Sequence, residues 1–168
     1  MKKLVSVSLV LFSLFSCAQN EAPIAFSKAT QGEKVTNLDG KELKFSEVLQ
    51  KHKGKVTMIE IWASWCGDCV KAMPKVKEIQ AAHPNVDYVF ISMDKAFDKW
   101  KAGIEKHQLT GDQYWVNDEK GMKGSFGKSI DLDWIPRYMI IDKEGKITIY
   151  RAIETDFEKL NATLKSLE

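Results

Sequence analysis

The sequence lacks the features that mark several common protein classes. Its 168 residues include only three cysteines, too few for a disulfide-rich scaffold. Lysine and arginine number 25 against 23 aspartate and glutamate, so the chain lacks the concentrated positive charge by which proteins bind nucleic acid. It has no internal repeat or low-complexity tract. The length fits a single domain that can bury its own core.

The N-terminal apolar run, residues 4–16, is too short to cross a membrane, which takes about 20 apolar residues. It follows Lys2 and Lys3 and ends at Cys17, as in an export signal. Its last residues, Leu-Phe-Ser-Cys at 14–17, resemble the lipobox of bacterial lipoproteins. That resemblance implies cleavage before Cys17 and acylation of this cysteine. An ordinary secretory signal with a chance cysteine is the alternative.

The leader defines the predicted organisation of the chain. We divide the sequence into a signal peptide at 1–16, a lipidated cysteine and tether at 17–33, and a domain at 34–168. Cleavage would remove Lys2 and Lys3, leaving 23 basic against 23 acidic residues and a formally neutral mature chain. Either interpretation of the leader places the protein outside the cytoplasm. Acyl chains on Cys17 would hold it at a bacterial membrane, facing the periplasm.

Hydrophobic periodicity predicts alternating strands and helices after residue 34. A hairpin is predicted at residues 34–45, because Asp39-Gly40 between short apolar strands favours a tight turn. The other predicted elements are a short helix at 46–52, strands at 55–62, 86–93, 137–142 and 146–152, and longer helices at 69–83, 97–108 and 155–167. This order predicts an α/β fold, a sheet with helices on both faces.

Cys66 and Cys69 form a Cys-x-x-Cys pair where a predicted strand meets a predicted helix. At this spacing two cysteines lie within disulfide reach. The free N–H groups and partial positive charge of a helix N-terminus stabilise a thiolate and lower its pKa below the usual value of about 8.5. We therefore expect Cys66 to be the attacking nucleophile and Cys69, one turn into the helix, to be the resolving thiol.

Two other interpretations of the cysteine pair are open. A structural zinc site normally takes four ligands, and His52, His83 and His107 are scattered along the chain and expected at the surface. An inert structural disulfide is the second interpretation. It would close a loop of only four residues, which constrains the unfolded chain little.

The sequence around the pair resembles the active site of the thioredoxin family, which reads acid-x-Trp-Ala-x-Trp-Cys-Gly-Pro-Cys. Here residues 60–69 read Glu-Ile-Trp-Ala-Ser-Trp-Cys-Gly-Asp-Cys. Pro74 matches the proline of the family's active-site helix, and Ile135-Pro136 resembles its cis-proline loop. The exported N-terminus and extra length between residues 93 and 134 make the closer likeness the TlpA/ResA-like thiol-disulfide oxidoreductases.

This resemblance implies a thioredoxin fold: a central mixed sheet flanked by helices on both faces, an N-terminal hairpin, and an insertion before the cis-proline loop. It also implies a reductase of exported protein disulfides, with the thiols of apocytochromes c among its targets. A membrane thiol-disulfide donor would supply the electrons. We expect a monomer that binds no metal and no nucleic acid and uses no cofactor besides its own disulfide.

Further residues of the motif have expected roles. Glu60 lies in an apolar strand, so burial should favour its protonated form and allow proton exchange with Cys69. A Glu60 turned out to solvent is the alternative. The residues expected to contact substrate are Trp65, Gly67, Asp68, Ile135 and Pro136. Asp68 replaces the family's proline, and its charge should disfavour the Cys66 thiolate and make the pair more reducing.

Two other functions compete with the reductase. A copper-delivery protein of related fold would usually place three residues between the cysteines and add a distal histidine, and neither feature is evident here. A non-catalytic binding module could keep the fold while its thiols lost their role. The retention of both cysteines, Trp65 and the Pro136 loop argues against that module.

Overall fold

A seven-stranded mixed sheet organises residues 22–168, the part of the chain that the computed structural model describes. The predicted signal peptide and the lipidation site at Cys17 lie outside these residues. The strands are β1 (Lys34–Asn37), β2 (Glu42–Lys44), β3 (Thr57–Trp62), β4 (Asp87–Ser92), β5 (Asp112–Trp115), β6 (Arg137–Ile141) and β7 (Ile147–Ala152). The helices are α1 (Lys28–Gly32), α2 (Phe45–Lys51), α3 (Gly67–Ala82), α4 (Phe97–His107), α5 (Ser125–Ser129) and α6 (Phe157–Leu167), with a 3-10 turn at Gly121–Lys123.

The strand order places β3 near the centre of the sheet. The order is β2-β1-β5-β4-β3-β6-β7. β3 pairs in parallel with β4 and antiparallel with β6, and β4 pairs in parallel with β5. The predicted N-terminal hairpin is confirmed as the antiparallel pair β1 and β2. Within residues 22–168, no helix has the length and apolar character needed to cross a membrane.

Helices cover both faces of the sheet, as the sequence predicted. Alternate side chains of a strand point to opposite faces, so Trp62 shares a face with Glu60. The Trp62 ring lies 3.2 Å from where a Cβ on Gly103 of α4 would stand. Tyr88 of β4 points to the same face by register and donates its hydroxyl to the Ile79 carbonyl of α3. Helices α3 and α4 therefore cover the Glu60 face.

The opposite face is covered by α2, α5 and the segment that precedes β1. The Phe45 ring of α2 packs edge-on against Phe126 of α5, with ring centres 5.5 Å apart. Val48 of α2 and the inward-facing Ile59 of β3 line one cavity on this side. Because all four side chains are buried, this second layer of helices completes a three-layer α/β arrangement.

The folded domain begins inside the predicted tether, residues 17–33. Phe26 is buried, and its ring lies 5.0 Å from that of Phe45. Thr30 of α1 is also buried and donates its hydroxyl to the Ser129 carbonyl over 2.9 Å. The tether prediction is therefore wrong for the residues around α1. Their local sequence is polar, and their order comes from contacts with residues far along the chain.

The segment between β4 and β6 is the predicted insertion, and it contains more structure than the sequence indicated. It holds α4, β5, the 3-10 turn and α5. Strand β5 was not predicted, and it lies between β1 and β4 in the sheet. It thereby joins the N-terminal hairpin to the central strands that carry the cysteine pair.

Candidate active site

Cys66 and Cys69 are joined in a disulfide at the N-terminus of α3, with their Cα atoms 5.3 Å apart. Cys66 is the N-cap residue in extended conformation, so the helix begins two residues earlier than predicted. The backbone N–H of Cys69 points at the Cys66 sulfur over 3.1 Å. A negative charge on that sulfur would therefore be stabilised by this N–H and by the helix dipole.

The two sulfurs differ in access. Cys66 retains 6% of its surface, whereas Cys69 is fully buried at 0%. Gly67 between them is exposed, and a Cβ there would meet nothing within 4 Å. An incoming group can thus approach the Cys66 sulfur from the open side, while Cys69 is reached only from within the protein.

A second loop completes the surroundings of the Cys66 sulfur. The Ile135–Pro136 peptide bond is cis, and the Ile135 carbonyl oxygen lies 3.5 Å from the sulfur. This loop leads into β6, whose first residue, Arg137, pairs with Ile61 near the end of β3. Because β3 and β6 are antiparallel neighbours, the end of one strand and the start of the other meet at the disulfide.

Two tryptophans lie beside these two loops. Trp65 precedes Cys66 and is 56% exposed, and Trp134 precedes Ile135 and is 49% exposed. Large aromatic side chains usually bury most of their surface in a folded domain. Their exposure next to the disulfide gives the site an apolar surface that a partner could cover.

Asp68 lies in the first turn of α3 and is partly neutralised. Its carboxylate is 38% exposed and accepts from the Lys71 ammonium over 3.3 Å. An exposed ion pair of this kind contributes little to stability. The carboxylate remains close enough to the helix N-terminus to act on charge at Cys66.

Glu60 is buried in β3, which excludes the interpretation that it faces solvent. The residue is 2% exposed, and burial raises the pKa of its carboxyl from 4.5 to about 8. The Tyr138 hydroxyl on β6 opposes part of this rise by favouring the ionised form. Neither carboxyl oxygen has a well-formed hydrogen bond to another described residue. At neutral pH the carboxyl therefore carries its proton.

Asp94 is a site residue that the sequence analysis missed. It is 2% exposed and accepts from the Ser64 hydroxyl over 2.6 Å, from the Ser64 N–H over 3.0 Å and from the Ser92 hydroxyl over 2.8 Å. These bonds fix the segment that leads into Cys66. Its position was an available signal. Asp94 lies two residues after β4, which runs parallel to the strand before the cysteines, and the carboxyl ends of parallel strands meet at one edge of the sheet.

The histidines correct a second expectation. His52 and His83 are buried at 9% and 4% exposure. The Nδ1 atom of His52 lies 2.8 Å from the Asp87 carboxylate, and that of His83 lies 2.6 Å from the Glu168 carboxylate. In the described part of the chain, no three His, Cys, Asp or Glu side chains are placed to hold one metal ion.

Comparison with known proteins identifies the family. The profile described as Thioredoxin-like matches residues 54–147, more than half of the chain. The chain belongs to the thioredoxin-like family. The matched range contains both cysteines and the Ile135-Pro136 loop, and it leaves out the N-terminal hairpin and α6.

Relatives within the family agree on its chemistry. The thiol-disulfide oxidoreductase ResA of Bacillus thuringiensis (strain Al Hakam) is 27% identical over 137 residues, covering 79% of this chain and 73% of its own length. The solved structure of a thiol-disulfide oxidoreductase from Bacteroides fragilis is 25% identical, with a TM-score of 0.66 over 80% of this chain and 96% of that one. The predicted thioredoxin fold is confirmed, and the chain is a thiol-disulfide oxidoreductase of that fold.

Proposed function

We propose that this member of the thioredoxin-like family is a reductase of protein disulfides outside the cytoplasm. The observation that supports this proposal is the asymmetry of the pair: Cys66 keeps 6% of its surface exposed and has a helix N–H on its sulfur, whereas Cys69 is fully buried. Such an arrangement suits one thiol for attack on a partner and the other for release.

The reaction runs in two exchanges. In the reduced protein the Cys66 thiolate attacks one sulfur of a substrate disulfide, forming a mixed disulfide and releasing the other substrate sulfur as a thiolate, which takes a proton. Cys69 then loses its proton and attacks the Cys66 sulfur. This second exchange forms the Cys66–Cys69 disulfide and releases the second substrate thiol. Two electrons have passed to the substrate, and a thiol donor in the membrane restores the dithiol.

Glu60 supplies and accepts the proton of Cys69. It lies on the sheet face that α3 covers, the helix in which Cys69 is buried. When a donor thiolate opens the disulfide at Cys66, Cys69 leaves as a thiolate in an apolar environment, where a free charge is costly. A carboxyl that is protonated at neutral pH can neutralise it.

The substrate binds across the two loops beside the sulfur. Trp65 and Gly67 form the surface next to Cys66, with Asp68 at its edge, and Ile135 and Pro136 form the opposite side. The Ile135 carbonyl, 3.5 Å from the Cys66 sulfur, can accept from a backbone N–H of an extended substrate segment.

The leader and the ResA-like relatives support a proposed cellular setting. Lipid on Cys17 would hold the protein at a bacterial membrane with its domain facing the periplasm. Exported proteins would be its substrates, the cysteines that attach haem in apocytochromes c among them. Replacing Cys17 with Ser should move the protein from the membrane to the soluble fraction and abolish labelling by a fatty acid, whereas continued labelling would contradict the anchor.

Substrate trapping tests the central mechanism. The Cys69→Ser variant should accumulate mixed disulfides through Cys66 in cells, detected as adducts that dithiothreitol dissolves. The Cys66→Ser variant is the matched control and should trap far less, because its remaining thiol is buried. Equal trapping by both variants, or none by either, would overturn the assignment of nucleophile and resolving thiol. The potential of the pair in a glutathione buffer then tests the reducing direction.

A further inference from the structure

Tyr138 faces Glu60 directly across the sheet. The two residues are register partners in the antiparallel pair β3 and β6, so their side chains lie on the same face. Tyr138 is 0% exposed, and its ring packs against Phe157 of α6 with centres 5.4 Å apart. Its ring is thereby buried between the sheet and α6, on the face that also carries the Glu60 side chain.

Glu154 continues the same line of polar groups towards the surface. Tyr138 pairs with Ala152 on β7, and Glu154 lies two residues further along. One carboxylate oxygen of Glu154, Oε2, is fully buried, although the residue as a whole keeps exposed surface. The residue also lines a surface depression that includes Trp134 and Arg137. Glu154 therefore reaches from the buried interior to solvent.

The three residues share an unusual property. The Tyr138 hydroxyl, both Glu60 oxygens and Glu154 Oε2 are buried and lack a well-formed hydrogen bond within residues 22–168. Buried polar atoms are nearly always satisfied. Carboxyl and hydroxyl groups left without partners in one region of the interior can satisfy one another when a proton moves among them. Burial raises the pKa of Tyr138, and the Glu60 and Glu154 carboxylates raise it further. The tyrosine thus stays neutral and can donate and accept at once.

We propose, building on the proposed function, that Tyr138 and Glu154 are positioning residues that pass protons between Glu60 and the surface as the disulfide opens and closes. After Glu60 gives its proton to the Cys69 thiolate, it is left as a buried carboxylate. Glu154 takes up a proton from water and passes it to the Tyr138 oxygen as Tyr138 donates its hydroxyl proton to Glu60. The net change is one proton taken from solvent, with Tyr138 unaltered.

Few charged groups act on Glu60, Tyr138 and Glu154. Tyr138 is the titratable group on β6 that acts on Glu60, and Phe90, the β4 partner of Glu60, is apolar. Glu60 and Glu154 are the charged groups that act on Tyr138. Asp133, Arg137 and Arg151 border the depression at the Glu154 end.

Single-turnover reduction by dithiothreitol tests the relay. The rate is followed by tryptophan fluorescence from pH 5.5 to 9.5 in the wild type and in the Tyr138→Phe, Glu154→Gln and Tyr150→Phe variants. Tyr150 is the matched control, because its charged neighbours are Asp131, Arg137 and Arg151 and do not include Glu60. In Tyr138→Phe the Glu60 titration, read from the pH profile and by carboxyl carbon NMR, should move up by about 0.5 to 1 pH unit, because the hydroxyl that favours the ionised form of Glu60 is removed.

The second expected result concerns rate. Both Tyr138→Phe and Glu154→Gln should slow reduction at pH 7 at least about threefold, and Tyr150→Phe should match the wild type. An unmoved titration in Tyr138→Phe, or a wild-type rate in Glu154→Gln, would overturn the relay and leave these residues a packing role. The NMR titration stays informative if a variant is inactive. Failure of the proposed function would differ, because the Cys69→Ser variant would then trap no substrate, whatever the pH profile of the wild type.

Discussion

The Ser64 hydroxyl donates to the Asp94 carboxylate over 2.6 Å, across thirty residues of sequence. Ser64 stands two residues before Cys66, and Asp94 stands two residues after β4. The bond therefore ties the segment that carries the nucleophile to the end of the neighbouring strand. Trp115 extends the tie to β5, because its indole N–H donates to the Asp94 carbonyl over 2.6 Å.

Replacing Asp94 with Ala should destabilise the protein by about 2 to 4 kcal/mol. The change leaves the Ser64 and Ser92 donors without an acceptor, and each buried unsatisfied group costs about 1 to 3 kcal/mol. Urea unfolding of the oxidised protein measures the loss. Asp98→Ala is the control, since Asp98 is exposed on α4 and should cost no more than about 1 kcal/mol. Similar losses of stability in the two variants would show that the Asp94 hydrogen bonds do not stabilise the protein more than an exposed acid does.

The buried Glu60 should make stability fall as pH rises. Its pKa is about 8 in the folded protein against 4.5 unfolded, so the folded state holds a proton that the unfolded state has lost between these values. Stability is therefore greatest below about pH 4.5 with respect to this group and declines up to about pH 8. The decline should be on the order of 5 kcal/mol.

Glu60→Gln isolates this contribution. In urea unfolding at pH 4.5, 6 and 8, the free energy of unfolding of the wild type should fall relative to that of the variant as pH rises. Glu158→Gln, an exposed acid on α6, is the control and should follow the wild type. Parallel pH dependence in the wild type and Glu60→Gln would contradict a proton held by Glu60.

Asp68 should make the cysteine pair more reducing. Its carboxylate in the first turn of α3 repels a thiolate on Cys66, and the thiolate exists only in the reduced form. Asp68→Asn should therefore raise the reduction potential by about 10 to 25 mV, the equivalent of a screened interaction of 0.5 to 1 kcal/mol. Equilibration with glutathione gives the value. Glu78→Gln, further along the same helix, should leave it unchanged, and a lower potential in Asp68→Asn would refute the argument.

Gly103 permits the close approach of α4 to the strand that precedes the site. A Cβ at this position would stand 2.6 Å from the Ser64 Cβ and 3.2 Å from the Trp62 ring. Gly103→Ala should thus destabilise the protein by about 1 to 3 kcal/mol despite the better helix propensity of alanine. In Gly32→Ala, where a Cβ would meet nothing within 4 Å, stability should stay the same or rise. Thermal unfolding distinguishes the two outcomes.

The parts of the molecule that sequence could predict are those specified by neighbouring residues. The cysteine pair, the strand before it and the helix after it depend on local periodicity and on a motif of ten residues. The cis-proline loop was found by the same route, through Ile135-Pro136. The fold class followed because each buried strand and its helix repeat these local signals in order.

The parts that sequence did not predict depend on contacts between distant residues. Strand β5 has four residues, and it begins with the polar Asp112 and Gln113, so it forms no apolar run that the sequence could indicate. Helix α1 is polar, and Thr30 holds it through a hydrogen bond to the Ser129 carbonyl, 99 residues away. The buried positions of His52 and His83 depend on acids that lie 35 and 85 residues away. No short segment of the sequence contains both members of such a contact.

The central position of β3 determines how the active site is disrupted when the protein unfolds. Six residue pairs join β3 to β4 and five join it to β6, so the segments that carry Cys66 and Ile135 leave from strands locked side by side. Amides in such strands exchange with solvent only when most of the domain opens. The sulfur and the carbonyl beside it can therefore separate only with the sheet itself, and reactivity and tertiary structure should disappear on heating in one cooperative transition.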